Sequence, residues 1–363
     1  MASASSGRPT LEAVASVAGV SRATVSRVIN GVPTVDPAIV DVVRRAIEDT
    51  GYVPNLAARS LVTRRTGSVA LVVSEPPGHR SPLPFLERIF TDPYLGRVTA
   101  GAQEALRPRD VHLAIMPADP PAHDQVVRYV RQGHVDGVLL ITSSADDPLP
   151  ARLVGLGVPV VLSARITGGA MPGGVPAVDL DQAAGGRLAA EHLLATGRRR
   201  LAVVTGPTDA PFMRARLDAF VAAVTAAGLG RPAVADADFT RPGGEAAARR
   251  LLAGFPGVDG IFAGNDLMAD GVSTALQSAG RRVPDDVAVV GFDDSSAAAQ
   301  AHPPLTTVRQ PVEDMARRMA ELLLEGMGVR EPGTDPGADA PDDAARPGRV
   351  VTFAPELVIR SSA

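Results

Sequence analysis

The chain of 363 residues contains no cysteine, no lysine and no tryptophan, and only 3% of its residues are aromatic. The absence of cysteine excludes disulfides, thiolate catalysis and cysteine-ligated zinc. All 36 basic residues are therefore arginine. The first ten residues hold no apolar signal core and no later apolar run could cross a bilayer, so we expect a cytoplasmic protein that has no membrane partner.

Apolar residues make up 45% and charged residues 21% of the chain, which is ordinary for a globular protein of two or three domains. The net charge of −4 is unevenly distributed. Residues 1–65 hold 8 arginines against 5 acidic residues, a net charge of +3, which leaves −7 on the remainder. A basic head on an acidic body indicates localised contact with nucleic-acid phosphates.

Residues 10–51 predict three short helices joined by tight turns. Each helix follows a side chain that can cap it, and the first and third end at glycine. The predicted caps are Thr10, Ser21 and Asp36, and the glycines are Gly19 and Gly51. The second helix, residues 22–30, turns valines and isoleucine inward and leaves Arg22, Ala23, Ser26 and Arg27 outside. Two such helices around a short turn form a helix-turn-helix, the arrangement that enters the DNA major groove.

The stretch TLEAVASVAGVSRATVSRVINGVPTVDPAIVDVVRRAIEDTGYVPNLAARSL resembles the headpiece of the LacI/GalR family of bacterial transcriptional regulators over its whole length. AGVS, ATVSRVING, TGYVPN and AARSL occur in the family's order and spacing. Ala13 departs from the aspartate that is usual in the family. The resemblance implies a DNA-binding headpiece over residues 1–51, a hinge helix and linker over 52–66, and an effector-binding and dimerisation core over 67–363.

The resemblance also implies the DNA contacts. Arg22 and Ala23 sit where the family reads bases, and an arginine there suits guanine, although a phosphate contact remains open. Leu61 matches a wedge that enters the minor groove, against the alternative of a plain interdomain linker. The predicted DNA-binding residues are Thr10, Ser21, Arg22, Ala23, Thr24, Ser26, Arg27, Asn30, Tyr52, Asn55, Ala58 and Leu61.

From Ser68 onward, short β-branched runs alternate with helical stretches, which is typical of α/β folds with parallel sheets. The resemblance implies a two-lobed core similar to periplasmic sugar-binding proteins. We predict a first lobe of residues 67–163 and 309–328 and a second lobe of 164–308 and 349–360, with the first crossing near Ala164. The Pro-, Gly- and Asp-rich stretch 326–348 predicts a disordered loop. Residues 75–91 contain about ten more residues than the family usually has there.

Three blocks of the core resemble family blocks that reach the ligand: GPTDAPFMRARLDAF, GNDLMADG and VVGFDDSS. The resemblance makes Arg214 the ligand clamp and Arg216 a structural residue. It has Asp266 cap its helix and Asp294 hold a loop, while structural capping remains the alternative for Asn265 and Asp293, and ordinary core packing for Phe239. The predicted effector-binding residues are Asp92, Tyr94, Arg214, Phe239, Asn265 and Asp293.

The six histidines have no metal-like spacing, and no phosphate-binding loop or nucleophile elbow is present. We therefore predict no cofactor, no metal site and no enzyme activity. The resemblance implies a dimeric regulator, a repressor, that binds a palindromic operator in double-stranded DNA under the control of a small molecule. Asparagine, aspartate, arginine and one aromatic suit a sugar, and a nucleobase would use similar groups. A solute-binding protein for transport and an enzyme built on the α/β core are the rival classes.

Overall fold

The computed structural model describes residues 9–29, 34–53, 65–75, 84–141, 146–164, 174–329 and 348–363, with the side chain of Arg88 left out. The chain divides into two compact units, and the boundary in the sequence falls between Gly67 and Ser68. Four predicted DNA contacts, most of the hinge segment and most of the loop 326–348 lie outside the described residues. The four contacts are Asn30, Asn55, Ala58 and Leu61.

The first unit contains three helices, α1 (Leu11–Ala18), α2 (Arg22–Ile29) and α3 (Pro37–Thr50). The predicted caps are confirmed. Thr10 Oγ1 accepts from the backbone N–H of Ala13 at 3.3 Å, Ser21 Oγ accepts from that of Thr24 at 3.1 Å, and an Asp36 carboxylate oxygen accepts from that of Ala38 at 2.8 Å. Gly19 and Gly51 end α1 and α3 in the left-handed conformation that glycine adopts without strain.

A small core holds these helices together. Val14, Val25 and Val43 are fully buried, one from each helix. Tyr52, which follows α3, packs against the same cluster. With so few buried side chains, the headpiece gains modest hydrophobic stabilisation, and its local caps therefore matter to its stability.

The second unit contains two six-stranded sheets, one in each lobe. The first sheet is parallel, and its strands are β1 (Ser68–Ser74), β2 (His112–Ala118), β3 (Gly137–Ile141), β4 (Val160–Leu162), β5 (Ala177–Leu180) and β11 (Val350–Phe353). The strands of the second sheet are β6 (Leu201–Thr205), β7 (Ala233–Asp236), β8 (Gly260–Ala263), β9 (Ala288–Asp293), β10 (Thr306–Arg309) and the antiparallel β12 (Glu356–Val358).

Both sheets have the same strand order. The first runs β2-β1-β3-β4-β5-β11 and the second β7-β6-β8-β9-β10-β12. This is the doubly wound 2-1-3-4-5 order, in which a crevice opens outside the carboxyl ends of the strands where the winding reverses. The reversal lies between β1 and β3 in the first lobe and between β6 and β8 in the second. The predicted fold class, a helical headpiece and a two-lobed α/β core, is confirmed.

Helices cover both sheets. Those on the first lobe are α4 (Phe85–Thr91), α5 (Pro93–Leu106), α6 (His123–Arg131), α7 (Leu149–Val154) and α13 (Val312–Met327). Those on the second lobe are α8 (Gln182–Ala195), α9 (Pro211–Ala226), α10 (Arg241–Gly254), α11 (Asp266–Ser278) and α12 (Ser296–Gln300). No helix in the described part of the chain has the length and apolarity that a membrane span requires.

The predicted lobe boundaries are wrong at two places. The first crossing does not fall near Ala164, because Leu162 of β4 pairs with Ala177 of β5 within the first sheet. The chain crosses instead between Leu180 and α8. The last segment does not belong wholly to the second lobe, because β11 pairs with β5 and only β12 joins the second sheet. Strand pairing is non-local, so a turn-rich stretch between two strands does not reveal whether they share a sheet.

Candidate functional sites

A cavity of about 460 Å³ lies between the two lobes of the second unit. It opens at the carboxyl ends of the strands that flank both reversals of winding, as the topology requires. The first lobe supplies Val73 and Ser74 at the end of β1, Glu75 directly after it, and Ile141 at the end of β3. The second lobe supplies Pro207 after β6 and Asn265 after β8. The volume lies in the range of about 300 to 1,000 Å³ that small-molecule sites occupy.

Arg216 is the buried cation of the cavity, with 4% of its surface exposed. Its Nε donates to Gln182 Oε1 at 2.7 Å and its Nη1 donates to the carbonyl of Gly264 at 2.8 Å. The guanidinium carbon lies 3.5 Å from the centre of the Phe292 ring, a close cation–π contact. Burial lowers the pKa of Arg216 to about 10, and nearby Asp293 opposes that change, so the guanidinium remains charged at neutral pH.

Arg214, the predicted ligand clamp, does not line the cavity and is exposed. The helical phase of α9 explains the correction. Met213, Leu217 and Phe220 face the core, and Arg216 shares their face while Arg214 lies away from it. The block therefore does bring an arginine to the cavity, but it is Arg216, the second of its two arginines, and not Arg214.

Asp293 ends β9 and lines the cavity in a strained backbone conformation. Its φ of 110° and the φ of 49° at Asp294 are both in the left-handed region, which costs of order 1–3 kcal/mol for a residue other than glycine. Asp293 Oδ1 accepts from Gln310 Nε2 at 2.5 Å. Burial raises the pKa of Asp293 well above its ordinary value, and the charge of Arg216 acts in the opposite direction.

Asp294, predicted to hold the loop, does so through the arginines around it. Its carboxylate accepts from Arg309 Nε at 2.7 Å and from Arg360 Nη2 at 2.5 Å. Burial alone would raise the pKa of Asp294, but these hydrogen bonds and charges bring it below its ordinary value. The preceding residue, Asp293, is thereby fixed at the end of β9 and held at the cavity.

Asn265 lines the cavity and also caps α11. Its Oδ1 accepts from the backbone N–H of Met268 at 2.9 Å and its Nδ2 donates to the carbonyl of Phe239 at 3.0 Å. The prediction that Asp266 caps this helix is wrong, because Asn265 has the extended backbone of a cap and Asp266 is already helical. Asp266 is instead buried and accepts from the Thr307 hydroxyl at 2.6 Å.

Two phenylalanines form an apolar wall of the cavity. Phe239 and Phe212 lie with ring centres 6.0 Å apart and an interplanar angle of 26°. The backbone of Phe239 has a φ of 67°. A side chain at Gly206 would overlap the Phe239 ring, so glycine there is what lets the ring approach β6. Sequence reasoning found Phe239 but missed Phe212, which stands beside Pro211 at the start of α9.

Asp92 and Tyr94 line the cavity from the first lobe, as the resemblance implies. Asp92 caps α5 by accepting from the backbone N–H of Tyr94 at 2.9 Å. Burial raises the pKa of Asp92 and raises the pKa of Tyr94 to about 12, where the charges of Asp293 and Asp92 add to the effect on the tyrosine. The tyrosine hydroxyl therefore stays protonated and able to donate.

The extra segment of the first lobe also reaches the cavity. Helix α4 contributes Phe85, Glu87, Ile89 and Thr91 to its wall. Ile89 packs against the large core cluster, whereas Phe90 on the opposite side is 66% exposed. The segment 75–91, in which we expect the additional residues, thus contributes to the cavity wall.

The described wall of the cavity is acidic. It carries six carboxylates, from Glu75, Glu87, Asp92, Asp209, Asp238 and Asp293, and two guanidinium groups, from Arg216 and Arg241. No group of His, Cys, Asp and Glu side chains suited to a metal ion occurs in the part of the chain that the structure describes. The cavity therefore suits a neutral ligand rich in hydrogen-bonding groups better than an anion.

The headpiece presents α2 as its candidate DNA-reading helix. Arg22, Ala23 and Arg27 are exposed, and Thr24 and Ser26 are partly buried. Arg22 pairs with Glu12 at 3.2 Å, and both side chains are more than half exposed, so the pair is weak and DNA can replace it. The hydroxyls of Ser21 and Thr24 lie 2.9 Å apart, which gives both of them a partner at the start of the helix.

Comparison with known proteins identifies the class. A profile described as bacterial regulatory proteins, lacI family, matches residues 10–55, and a profile of the periplasmic binding protein-like domain matches residues 190–363. The chain is 45% identical to the HTH-type transcriptional regulator CelR of Thermobifida fusca over 326 residues, which cover 88% of this chain and 92% of CelR.

Two further comparisons agree. The chain is 31% identical to the ribose operon repressor of Escherichia coli K12 over 319 residues, which cover 87% of this chain and 92% of that repressor. The solved transcriptional regulator CelR–cellobiose complex is 40% identical, with a TM-score of 0.72 and coverage of 98% of this chain and 100% of that one. The chain belongs to the LacI family of bacterial regulatory proteins. It is a DNA-binding transcriptional regulator and not an enzyme.

Proposed function

We propose that the chain is a transcriptional repressor that binds a palindromic operator as a homodimer, and that a neutral sugar in the interlobe cavity sets its operator affinity. The observation that carries this proposal is the cavity between the lobes, where Arg216, Asn265 and Asp293 meet beside a wall of two phenylalanine rings. Polar groups that fix orientation on an otherwise apolar wall are the usual composition of a small-molecule site.

The charge of the wall favours a neutral sugar over an acidic one. Even if Asp92 and Asp293, whose pKa values burial raises, are protonated, four carboxylates remain against two guanidinium groups among the described lining residues, so a phosphorylated sugar or a sugar acid would meet net repulsion. Carboxylates and an arginine can hold vicinal hydroxyls by charge-assisted hydrogen bonds. The apolar face of a sugar ring fits against Phe212 and Phe239. The relative CelR, solved as a cellobiose complex, supports a glucoside as the ligand class.

The DNA-binding half of the proposal rests on the headpiece. One headpiece supplies few basic side chains, and two of them on a symmetric dimer double the phosphate contacts and match an operator whose half-sites lie about one helical turn apart. We expect the exposed Arg22 to read guanine in each half-site. Because its target is chromosomal DNA, the regulator works in the cytoplasm and is associated with the nucleoid while it occupies an operator.

Two measurements on the full chain test the proposal. Operator duplexes would be selected from random DNA by the purified protein, and affinity would be followed by fluorescence anisotropy with and without cellobiose. Calorimetry would compare cellobiose, glucose, glucose 6-phosphate and guanine. We expect cellobiose to bind and to change operator affinity, and glucose 6-phosphate to be rejected. Preference for glucose 6-phosphate or for guanine would overturn the sugar assignment.

Arg22→Ala is the control that separates DNA binding by the headpiece from sugar binding in the cavity. It removes an exposed headpiece side chain and leaves the cavity untouched. We expect this variant to lose operator selectivity while its sugar affinity stays at the wild-type value. A variant that lost both would show that the headpiece and the cavity do not have the separate roles assigned to them.

A further inference from the structure

Arg97 on α5 makes four hydrogen bonds that join both lobes. Its Nε donates to Glu313 Oε1 at 2.7 Å and its Nη2 donates to Glu313 Oε2 at 2.8 Å. Its Nη1 donates to the backbone carbonyl of Asp293 at 2.8 Å, and Nη2 also donates to the carbonyl of Gln310 at 3.2 Å. Glu313 belongs to the first lobe, Asp293 ends a strand of the second, and Gln310 lies where the chain crosses between them.

The first-lobe side of this contact is rigid. Gly101 of α5 lies so close to the backbone of Glu313 that a Cβ at position 101 would overlap the Glu313 carbonyl. Helices α5 and α13 therefore touch backbone to backbone beside the Arg97–Glu313 pair. A guanidinium that is clamped by both carboxylate oxygens has little freedom left, so it presents its remaining N–H groups in a fixed direction.

The second-lobe side of the contact is strained. Asp293 has a φ of 110° and precedes Asp294, which also has a positive φ. Such a conformation persists only when the surroundings hold it. Arg97 holds the carbonyl of Asp293, while Gln310 Nε2 holds its carboxylate. The backbone and the side chain of a cavity residue are thus both fixed by groups at the boundary between the lobes.

We propose that Arg97 is a positioning residue that holds Asp293 in its ligand-facing conformation and, through Glu313, ties the ligand side of the second lobe to the α5–α13 pair of the first. Arg97 does not line the cavity, so its effect on the ligand is transmitted through Asp293. The inference rests on the proposed function for the identity of the ligand. The other part of the inference, that Arg97 holds the two lobes in a fixed arrangement, can be tested without a ligand.

A distance measurement tests the structural half without any ligand. Because the chain has no cysteine, spin labels can be attached at R131C on the first lobe and A253C on the second, both of which are exposed. Pulsed electron spin resonance then reports the distribution of distances between the lobes. We expect Arg97→Ala and Arg97→Lys to broaden or shift that distribution. Lysine keeps the charge opposite Glu313 but cannot reach four acceptors with a planar fork.

Arg318→Ala is the matched control. Arg318 lies on α13 with a side chain that is 21% exposed, against 19% for Arg97, and its ion pairs are with Glu321 and Glu325 of the same helix. We expect this variant to keep the wild-type distance distribution. Glu313→Gln, which retains one acceptor for Arg97, serves if the alanine variant fails to fold. A wild-type distribution in both Arg97 variants, or full rescue by lysine, would overturn the positioning role.

Cellobiose titration then tests the transmitted effect. We expect the Arg97 variants to bind cellobiose at least tenfold more weakly than the wild type and Arg318→Ala to bind it normally. Unchanged affinity in the Arg97 variants would overturn the link to Asp293. If the wild type itself does not bind cellobiose, the proposed ligand class fails, and the distance distributions, which need no ligand, still decide whether Arg97 positions the lobes.

Discussion

Replacing Arg216 by lysine tests the centre of the cavity. Arg216 Nε and Nη1 donate to Gln182 and to the Gly264 carbonyl, at 2.7 and 2.8 Å. Nη2 has no hydrogen-bond partner among the described residues, so it is the group that remains for a ligand. A lysine ammonium cannot serve both protein acceptors and the ligand from one position.

The size of the effect follows from what is lost. One charge-assisted hydrogen bond to a buried ligand is worth about 1.5–3 kcal/mol, which corresponds to about 10- to 150-fold in affinity. An unpaired carbonyl at Gly264 would also cost about 1–3 kcal/mol of folding stability. Burial lowers the pKa of Arg216 to about 10, and the same burial would bring a lysine, whose pKa in water is lower, closer to losing its proton at neutral pH. We therefore expect Arg216→Lys to bind the sugar more weakly than the wild type and to have a lower free energy of unfolding.

Calorimetry with cellobiose measures the affinity, and urea unfolding establishes that the variant is folded at the temperature used. Arg214→Ala is the control, two residues away on the same helix but exposed and outside the cavity. We expect it to change stability by no more than about 0.5 kcal/mol and to leave cellobiose binding intact. Loss of binding in Arg214→Ala together with normal binding in Arg216→Lys would refute the assignment and restore Arg214 as the clamp.

Three further outcomes follow from the structure. Burial raises the pKa of Asp266 to about 6, so between about pH 4 and 6 the native state keeps a proton that the unfolded state has lost. The free energy of unfolding should therefore fall as pH rises from about 4 to 6. Urea titrations at several pH values should show a smaller slope in Asp266→Asn. Gly186→Ala would place a Cβ against the Arg216 carbonyl and should destabilise the protein by about 1–3 kcal/mol. Gly96→Ala has open space around the new methyl group and should stabilise the protein by about 0.5–1 kcal/mol. Equal changes in the free energy of unfolding for the two variants would contradict the packing. Phe85→Ala should weaken cellobiose binding by about 1 kcal/mol, or roughly fivefold, and should weaken glucose binding by less. If calorimetry finds no loss of affinity for either sugar, α4 is not part of the ligand site.

The headpiece was predictable from sequence almost residue by residue, because its signals are local. A cap such as Thr10 or Asp36 acts on the next three residues, and Gly51 ends a helix through its own backbone. The same holds for the alternation of strands and helices in the core. Lobe boundaries were not predictable in this way, since the pairing of Leu162 with Ala177 depends on residues that are distant in the chain.

The cavity was only partly predictable, for reasons that differ from residue to residue. Asn265 and Asp293 follow strands, and the carboxyl ends of parallel strands meet at one edge. The choice between Arg214 and Arg216 needed the phase of α9, and the apolar spacing of Met213, Leu217 and Phe220 carried that signal. No local pattern shows that α4 reaches the cavity, because its place depends on the packing of residues such as Ile89 against a core that is distant in the sequence.

The hydrogen bonds of Asp293 set a limit on how strongly a ligand can act on DNA binding. One oxygen of its carboxylate accepts a hydrogen bond from Gln310 Nε2 at 2.5 Å. A sugar hydroxyl must use the other oxygen or displace Gln310. If it displaces Gln310, the binding free energy gains only the difference between the new hydrogen bond to the sugar and the lost one to Gln310. Gln310 lies at the crossing between the lobes, and displacing it would change the contact that Arg97 makes there. A ligand shifts an equilibrium only by its differential affinity for the two forms. We therefore expect a coupling of about 1–3 kcal/mol, or 5- to 150-fold in operator affinity, well below the full binding free energy of the sugar.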